Sequence, residues 1–284
     1  MILAPLRGVT IRCFREVFAA AIAEAGFTEA ITPFIPAMPG LDPLKDRELR
    51  GEERGMRITP QFIGKDPAAL GECLKRVRDA GFGTADLNAG CPFPMVRNKG
   101  RGSGILRTPD VLRRMLETGC EVMGAGKFSL KARLGVERND ELLALMPMIN
   151  EFPLRFLTVH ARNARQMYEG PCDKEAFNAV AATAKVPVVY NGDVEFAFSG
   201  KRTGDNFPGV MIGRSFIRAL GERDDIRDLL VRYIETSQRE LCGDRPVLGR
   251  MKELISYWKC SPRWRKRWDI VKICRSVDEL LAII

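Results

Sequence analysis

"ITPQFIGKDPAALGECLKRVRDAGFGTADLN", Ile58 to Asn88, holds the unit on which the fold reading turns. An apolar run, Ile58–Ile63, gives way to an amphipathic stretch that opens near Pro67 and closes on Gly81, and a second apolar run begins at Ala85. Proline suits the first turn of a helix and glycine the position just past its end, so the unit reads strand–helix–strand. Working outward, the same alternation fills the first 220 residues. Strands are expected at Ile2–Ala4, Glu29–Phe34, Ile58–Ile63, Ala85–Asn88, Phe128–Arg133, Phe156–His160, Val186–Asn191 and Gly209–Ile212. Stretches such as "FREVFAAAIAEAG" and "PDVLRRMLETGCEVMG" supply helices between them. Eight such units match an α/β fold, a parallel (β/α)8 TIM barrel. Periodicity alone leaves a doubly wound sheet open, although no G-x-G-x-x-G follows the first strand as a dinucleotide fold would require.

From Gly221 the pattern turns helical throughout, in "DDIRDLLVRYIETSQREL", "PVLGRMKELISYWK" and "SPRWRKRWDIVKICR". The expected division is therefore a barrel over 1–220 and a small C-terminal helical domain over 221–284. The 284 residues are 45% hydrophobic and 29% charged, an ordinary globular composition. No run approaches the roughly 20 apolar residues of a membrane span, and "MILAPLRGVTIRCFR" lacks the plan of a secretion signal. The eight cysteines form no C-x-x-C pair and lie away from the single histidine, His160. Neither a metal site nor a disulfide framework is expected, and the thiols suit a reduced, cytoplasmic protein. Charge is concentrated: Arg245 to Arg275 carries a net +8 of the chain's +9. A field that localised suits a polyanionic partner, and equally a solvated helix surface.

Barrel enzymes build their sites at the carboxyl ends of the strands. Those ends are Pro5, Gln61, Asn88, Lys131 with Arg133, His160 with Arg162, Asn191-Gly192-Asp193 and Gly213-Arg214. Any one polar strand end is unremarked water contact, but seven together form a pattern. The glycines of "VVYNGDV" and "GVMIGRS" follow strands seven and eight, where barrels commonly hold a phosphate, and a helix start near Ser215 and the Arg214 guanidinium suit that anion. Lys131 and Arg133 share one face of their strand, and two such cations need an anion, an electron-rich ring or an acid such as Asp86 nearby. Cys91 sits on a turn between Gly90 and Pro92, past a strand end, where a thiol can serve as nucleophile, general acid or bystander. Cys13, Cys73, Cys120 and Cys274 read as structural.

In order along the chain, "LAPLRGVTIRCFR", "PQFIG", "DLNAGCPFPMVRNKGRGSGIL", "LKARLG", "VHARNARQMYEG", "VPVVYNGDV" and "GVMIGR" resemble the tRNA-dihydrouridine synthases. "GRMKELISYW" resembles the helical domain of the bacterial subgroup acting on position 16 of the D-loop. The resemblance implies an FMN enzyme that uses NADPH to reduce the C5=C6 bond of a uridine in tRNA, hydride reaching C6 from flavin N5. Cys91 matches the general acid that protonates C5. Pro5, Gln61, Lys131 and His160 match flavin contacts, while Asn191, Gly192, Asp193, Gly213 and Arg214 match the phosphate end. Asn88, Arg133 and Tyr168 match positions that hold the uracil. Ile11 stands where the family usually has an acid, Ile35–Arg57 is compact, and the helix after "NGDV" looks contracted to "EFAFSGKRTGDNFPG".

All three tryptophans lie in "WKCSPRWRKRW" among Lys259, Arg263, Arg265, Lys266 and Arg267. Trp264 and Trp268, four apart, read as a packing stripe. Arg263, Arg265, Lys266 and Arg267 read as RNA contacts. Two rivals stand beside this reading: an FMN barrel reductase of a free small molecule, and an RNA-binding homologue without activity.

Overall fold

The computed structural model describes residues 1–50, 55–198 and 209–284. Ten strands occur among them: β1 (Ile2–Leu3), β2 (Glu29–Ile31), β3 (Ile35–Pro36), β4 (Arg57–Thr59), β5 (Gln61–Ile63), β6 (Ala85–Ala89), β7 (Phe128–Gly135), β8 (Leu157–Asn163), β9 (Val188–Asn191) and β10 (Val210–Ile212). All pair in parallel, in the order β3-β5-β6-β7-β8-β9-β10-β1-β2-β4. The two ends of that order meet. β2 lies within the expected strand Glu29–Phe34 and β3 follows just past its end, β4 and β5 split the expected Ile58–Ile63, and β2 pairs β4 while β3 pairs β5. Pro60 explains the second split, since it has no N–H to give a ladder; its carbonyl still accepts from Asp86 N at 2.9 Å. Thr32 bridges the breaks, donating its N–H to Thr59 O at 3.0 Å and accepting from Gln61 N on its hydroxyl at 3.1 Å. The cylinder therefore closes, and ten segments make eight barrel staves.

Alternation along the staves separates two environments. Ala85, Leu87 and Ala89 of β6, Leu130, Ala132 and Leu134 of β7, and Leu157, Val159 and Ala161 of β8 join the main apolar cluster beneath the helices. Asp86, Asn88, Ser129, Arg133, Thr158, His160 and Arg162 lie between them in sequence and are the buried polar residues of the same strands. A small second cluster, Ala4, Ile31, Phe156, Val189 and Met211, is built from β1, β2, β9, β10 and the approach to β8. Arg155 donates to both oxygens of the buried Glu29 at 2.5 and 2.7 Å, so the charge at the start of β2 is paired.

Helices form the outer layer for local reasons. Asp66 caps Pro67–Asp79 by accepting from Ala68 N and Ala69 N at 3.0 and 3.4 Å, and Gly81 leaves it at φ +95°. Ile11 offers no cap to Arg12–Val17; instead Glu48, from a distant loop, accepts from Arg12 N at 3.1 Å and from the buried Arg15 at 2.8 Å. The segment from 221 packs its helices Ile226–Glu240, Asp244–Ser256, Arg265–Val271 and Val277–Leu281 into the same apolar cluster as the barrel helices. Tyr233 meets Phe14 and Phe18 edge-on at 6.1 and 5.7 Å. Trp258 and Trp264 are each 1% exposed, with indole N–H groups on Ile217 O at 2.6 Å and Gly221 O at 2.7 Å. Those two tryptophans belong to packing. The compact Ile35–Arg57 stretch and the contracted helix include 51–54 and 199–208, which lie outside the described residues.

Candidate functional site

The carboxyl ends of the staves bring the expected residues together around one chain of hydrogen bonds. Asp86, wholly buried, accepts from Ser129 Oγ at 2.5 Å and from Gln61 Nε2 at 2.7 Å. Gln61 Oε1 then accepts from Asn88 Nδ2 at 2.7 Å, and Asn88 Oδ1 accepts from the backbone N–H of Gly90 and Cys91 at 3.1 and 2.9 Å. Gln61 and Asn88 thus shape the turn that carries Cys91. Burial pushes the Asp86 carboxyl up to about 7 despite its hydrogen bonds and Lys131. Pro5, half-buried, sits on a turn closed by Thr10, whose hydroxyl donates to Ala4 O at 2.9 Å and accepts from Leu6 N at 2.7 Å.

Cys91 is 7% exposed, yet its surroundings are cationic. Burial raises its thiol above the usual range, while Phe93 N–H and the charges of Arg133, Arg7 and Lys131 pull the other way. Its carbonyl accepts from Ser103 N and Ser103 Oγ at 3.1 and 3.0 Å. Gly102, at φ +56°, leaves only 2.8 Å from the place of a Cβ to Cys91 Cβ, so the loop requires glycine there.

Lys131 and Arg133 face the mouth without a carboxylate partner among the described residues. Lys131 Nζ donates to Asn191 Oδ1 at 3.1 Å, and burial followed by repulsion from Arg133 brings it down to about 8. Arg133 bonds Gly90 O and Asn163 O, both at 2.9 Å, and lies 5.3 Å from the Tyr168 ring. Burial first, then Arg133, Lys131, Arg162 and Arg214, lower His160 well below its ordinary value, so the imidazole is neutral. Its Nδ1 is buried without a partner among the described residues, and so is one terminal nitrogen of Arg162. Tyr168, 41% exposed, stands 6.3 Å from the His160 ring and 4.9 Å from the Arg214 guanidinium.

Asp193, at φ 45°, pairs with both Arg162 and Arg214, the latter at 2.9 Å, and so orients two cations. Gly192 and Gly213 allow close approach: a Cβ on them would lie 2.6 Å from Cys172 Sγ and 3.0 Å from Ala4 Cβ. The helix after Gly213, Arg214–Leu220, has seven residues. Sequence reasoning had Asp86 only as an acid for the strand-five cations and gave Arg162 no role; the structure makes Asp86 the root of the Cys91 chain. Four cations against one exposed carboxylate, with unpartnered buried nitrogens, fit a group that brings phosphate and an electron-rich ring. Among the described residues no three His, Cys, Asp or Glu side chains gather as metal ligands would.

In the C-terminal segment Arg263 donates to Arg223 O at 2.8 Å and Arg267 lies 5.5 Å from the Trp264 ring. Arg265 and Lys266 are exposed and make no ion pair among the described residues. No helix among the described residues is long and apolar enough to cross a membrane.

Residues 2–219 match the family model described as Dihydrouridine synthase (Dus). A probable tRNA-dihydrouridine synthase of Rhodobacter capsulatus is 32% identical over 222 residues, covering 75% of this chain and 66% of that protein. A tRNA-dihydrouridine synthase B of Vibrio cholerae is 30% identical over 199 residues, covering 69% of this chain and 60% of that one. The chain thus spans less than two thirds of the length of these relatives. Among solved structures, morphinone reductase superposes with TM-score 0.54 at 13% identity, over 77% of this chain and 82% of its own. The old yellow enzyme from Trypanosoma cruzi gives 0.52 at 13%, over 77% and 85%. Those likenesses bear on the fold, and the fold is the barrel.

Proposed function

The chain belongs to the dihydrouridine synthase family, and from that membership we propose that it reduces the C5=C6 bond of a uridine in the tRNA D-loop. FMN is the resident cofactor of this reading, NADPH the reductant and Cys91 the proton donor. The observation that carries it is a thiol kept protonated by burial at the mouth of a barrel lined with cations. A bound flavin supplies hydride chemistry there. Pro5, Gln61, Lys131 and His160 line its ring, and the neutral His160 offers an uncharged partner. Asn191, Gly192, Gly213 and Arg214 serve the phosphate, with Asp193 holding Arg214 and Arg162 in place.

Asn88 acts on the uracil side chiefly by fixing the Cys91 turn. Arg133, anchored by two carbonyls, and Tyr168, exposed beside it, hold the base. Cys91 gives its proton to C5; a general acid must be protonated beforehand, and burial ensures that. The charges of Arg133, Arg7 and Lys131 then lower the cost of the thiolate left behind. The likeness to the position-16 subgroup rests on the C-terminal segment and on Tyr168, and the family match stops at residue 219, ahead of that segment.

The test is Cys91→Ala in the flavin-loaded protein. Flavin binding and NADPH oxidation are expected to persist, while reoxidation by a tRNA transcript falls by ~10²–10⁴-fold. An unimpaired variant removes Cys91 as donor. Faster reoxidation by free uridine than by the transcript favours a small-molecule reductase, and a colourless protein that takes up no FMN ends the enzymatic reading.

A further inference from the structure

We infer that the loop from Phe93 to Arg101 is a docking platform for the RNA strand on either side of the target uridine; this rests on the RNA reading above. Past the Cys91 turn the chain winds back tightly. Val96 N and Arg97 N both bond Phe93 O at 2.9 Å, Asn98 N bonds Pro94 O at 2.9 Å, and Gly100 N bonds Arg97 O at 3.0 Å. Gly104 passes so close that a Cβ would lie 2.1 Å from Arg97 O. A loop that compact has its outward face fixed.

That face is unusual in two respects. Phe93 and Met95 are 45% and 74% exposed, on a protein whose other apolar side chains of that size are mostly buried. Around them stand Arg97, Lys99 and Arg101, with Lys65 beside Gly100 at 3.6 Å from the place of its Cβ. No acid lies between Asp86 and Asp110, and none of the four cations makes an ion pair among the described residues. The Nε of Arg97 and of Arg101 are buried without an acceptor among the described residues.

Unpaired cations want anions, and exposed flat or flexible apolar side chains want a partner that is apolar on its faces. A single-stranded nucleic acid offers both, phosphates at the edge and base faces for stacking. The position agrees: the platform is continuous with Cys91, so a strand lying on it delivers a flipped base to the thiol. Two exposed side chains are too little apolar area for a membrane surface.

Fluorescence anisotropy of the full-length, flavin-loaded protein with a labelled D-arm stem–loop RNA, titrated with salt, tests this. Lys99→Glu is expected to weaken binding about tenfold and to flatten the salt slope by ~0.7–0.9. Met95→Ser is expected to weaken binding about fivefold with the slope unchanged. Both sites are exposed, so both variants are expected to keep the wild-type thermal midpoint. Unchanged affinity and slope in both overturn the inference, as does binding to phosphatidylserine vesicles without binding to the RNA. RNA that binds normally yet gains no dihydrouridine refutes the catalytic reading and leaves the platform standing.

Discussion

Substituting asparagine for Asp86 removes a charge from the most enclosed point of the site with almost no change in shape. Burial raises the carboxyl from its ordinary 3.8 to about 7. At 1.36 kcal/mol per unit, carrying it ionised costs the folded protein about 4 kcal/mol. The sign follows from the direction: the folded state holds this proton more tightly than the unfolded chain. Asp86 therefore contributes its stability fully below pH 3.8, and that contribution is lost as pH rises to about 7. Asparagine does not titrate, and it can keep both neighbours. Its oxygen accepts from Gln61, and its amide donates to Ser129 Oγ, whose own hydrogen turns to Ala85 O, now 3.4 Å away. Urea unfolding of wild type and Asp86→Asn at pH 4.5 and pH 8 is the assay. The stability of the variant relative to wild type is expected to rise by about 3 kcal/mol between those values. Parallel pH profiles would show that Asp86 is not the buried, reluctantly charged group described here. Asp86→Leu, which leaves Gln61 Nε2 without an acceptor, is expected to lose ~1–3 kcal/mol at either pH.

Two further outcomes are expected. Alkylation of Cys91 by iodoacetamide is expected to be slow at pH 8 and still rising at pH 9, because burial holds the thiol protonated; a plateau by pH 8 contradicts the general-acid assignment. Trp264→Phe keeps most of the ring but leaves Gly221 O without its donor, for a loss of ~1–3 kcal/mol, and Trp264→Ala is expected to lose ~3–5 kcal/mol. Equal, small losses in thermal unfolding would place the indole at the surface.

The barrel was readable because its signals are local. Pro67 and Gly81 mark a helix by their own backbone preferences, and the period-two alternation of "LKARLG" sets Leu130, Ala132 and Leu134 outward and Lys131 and Arg133 inward. Which residues gather at the rim was equally readable, since a barrel puts strand ends at one rim whatever the loops do. Long-range contacts were not. Glu48 replaces the missing cap at Ile11 from 37 residues away, and nothing in either stretch announces the pairing. Asp86 lies in the middle of an apolar run, and its link to Cys91 passes through Gln61, 25 residues upstream. The basic loop after Cys91 is visible in the sequence, but that Arg97, Lys99 and Arg101 form no ion pair among the described residues is seen only in three dimensions.

The two indoles bolted to Ile217 O and Gly221 O leave little freedom for the tail of the chain to swing away from the cylinder. Moving it would strip the Phe14–Phe18 stack of its cover and leave the two carbonyls without their indole donors. A protein so braced is a fixed anvil for whatever docks at its mouth. On the RNA reading proposed above, the bending, unstacking and eversion then fall to the nucleic acid.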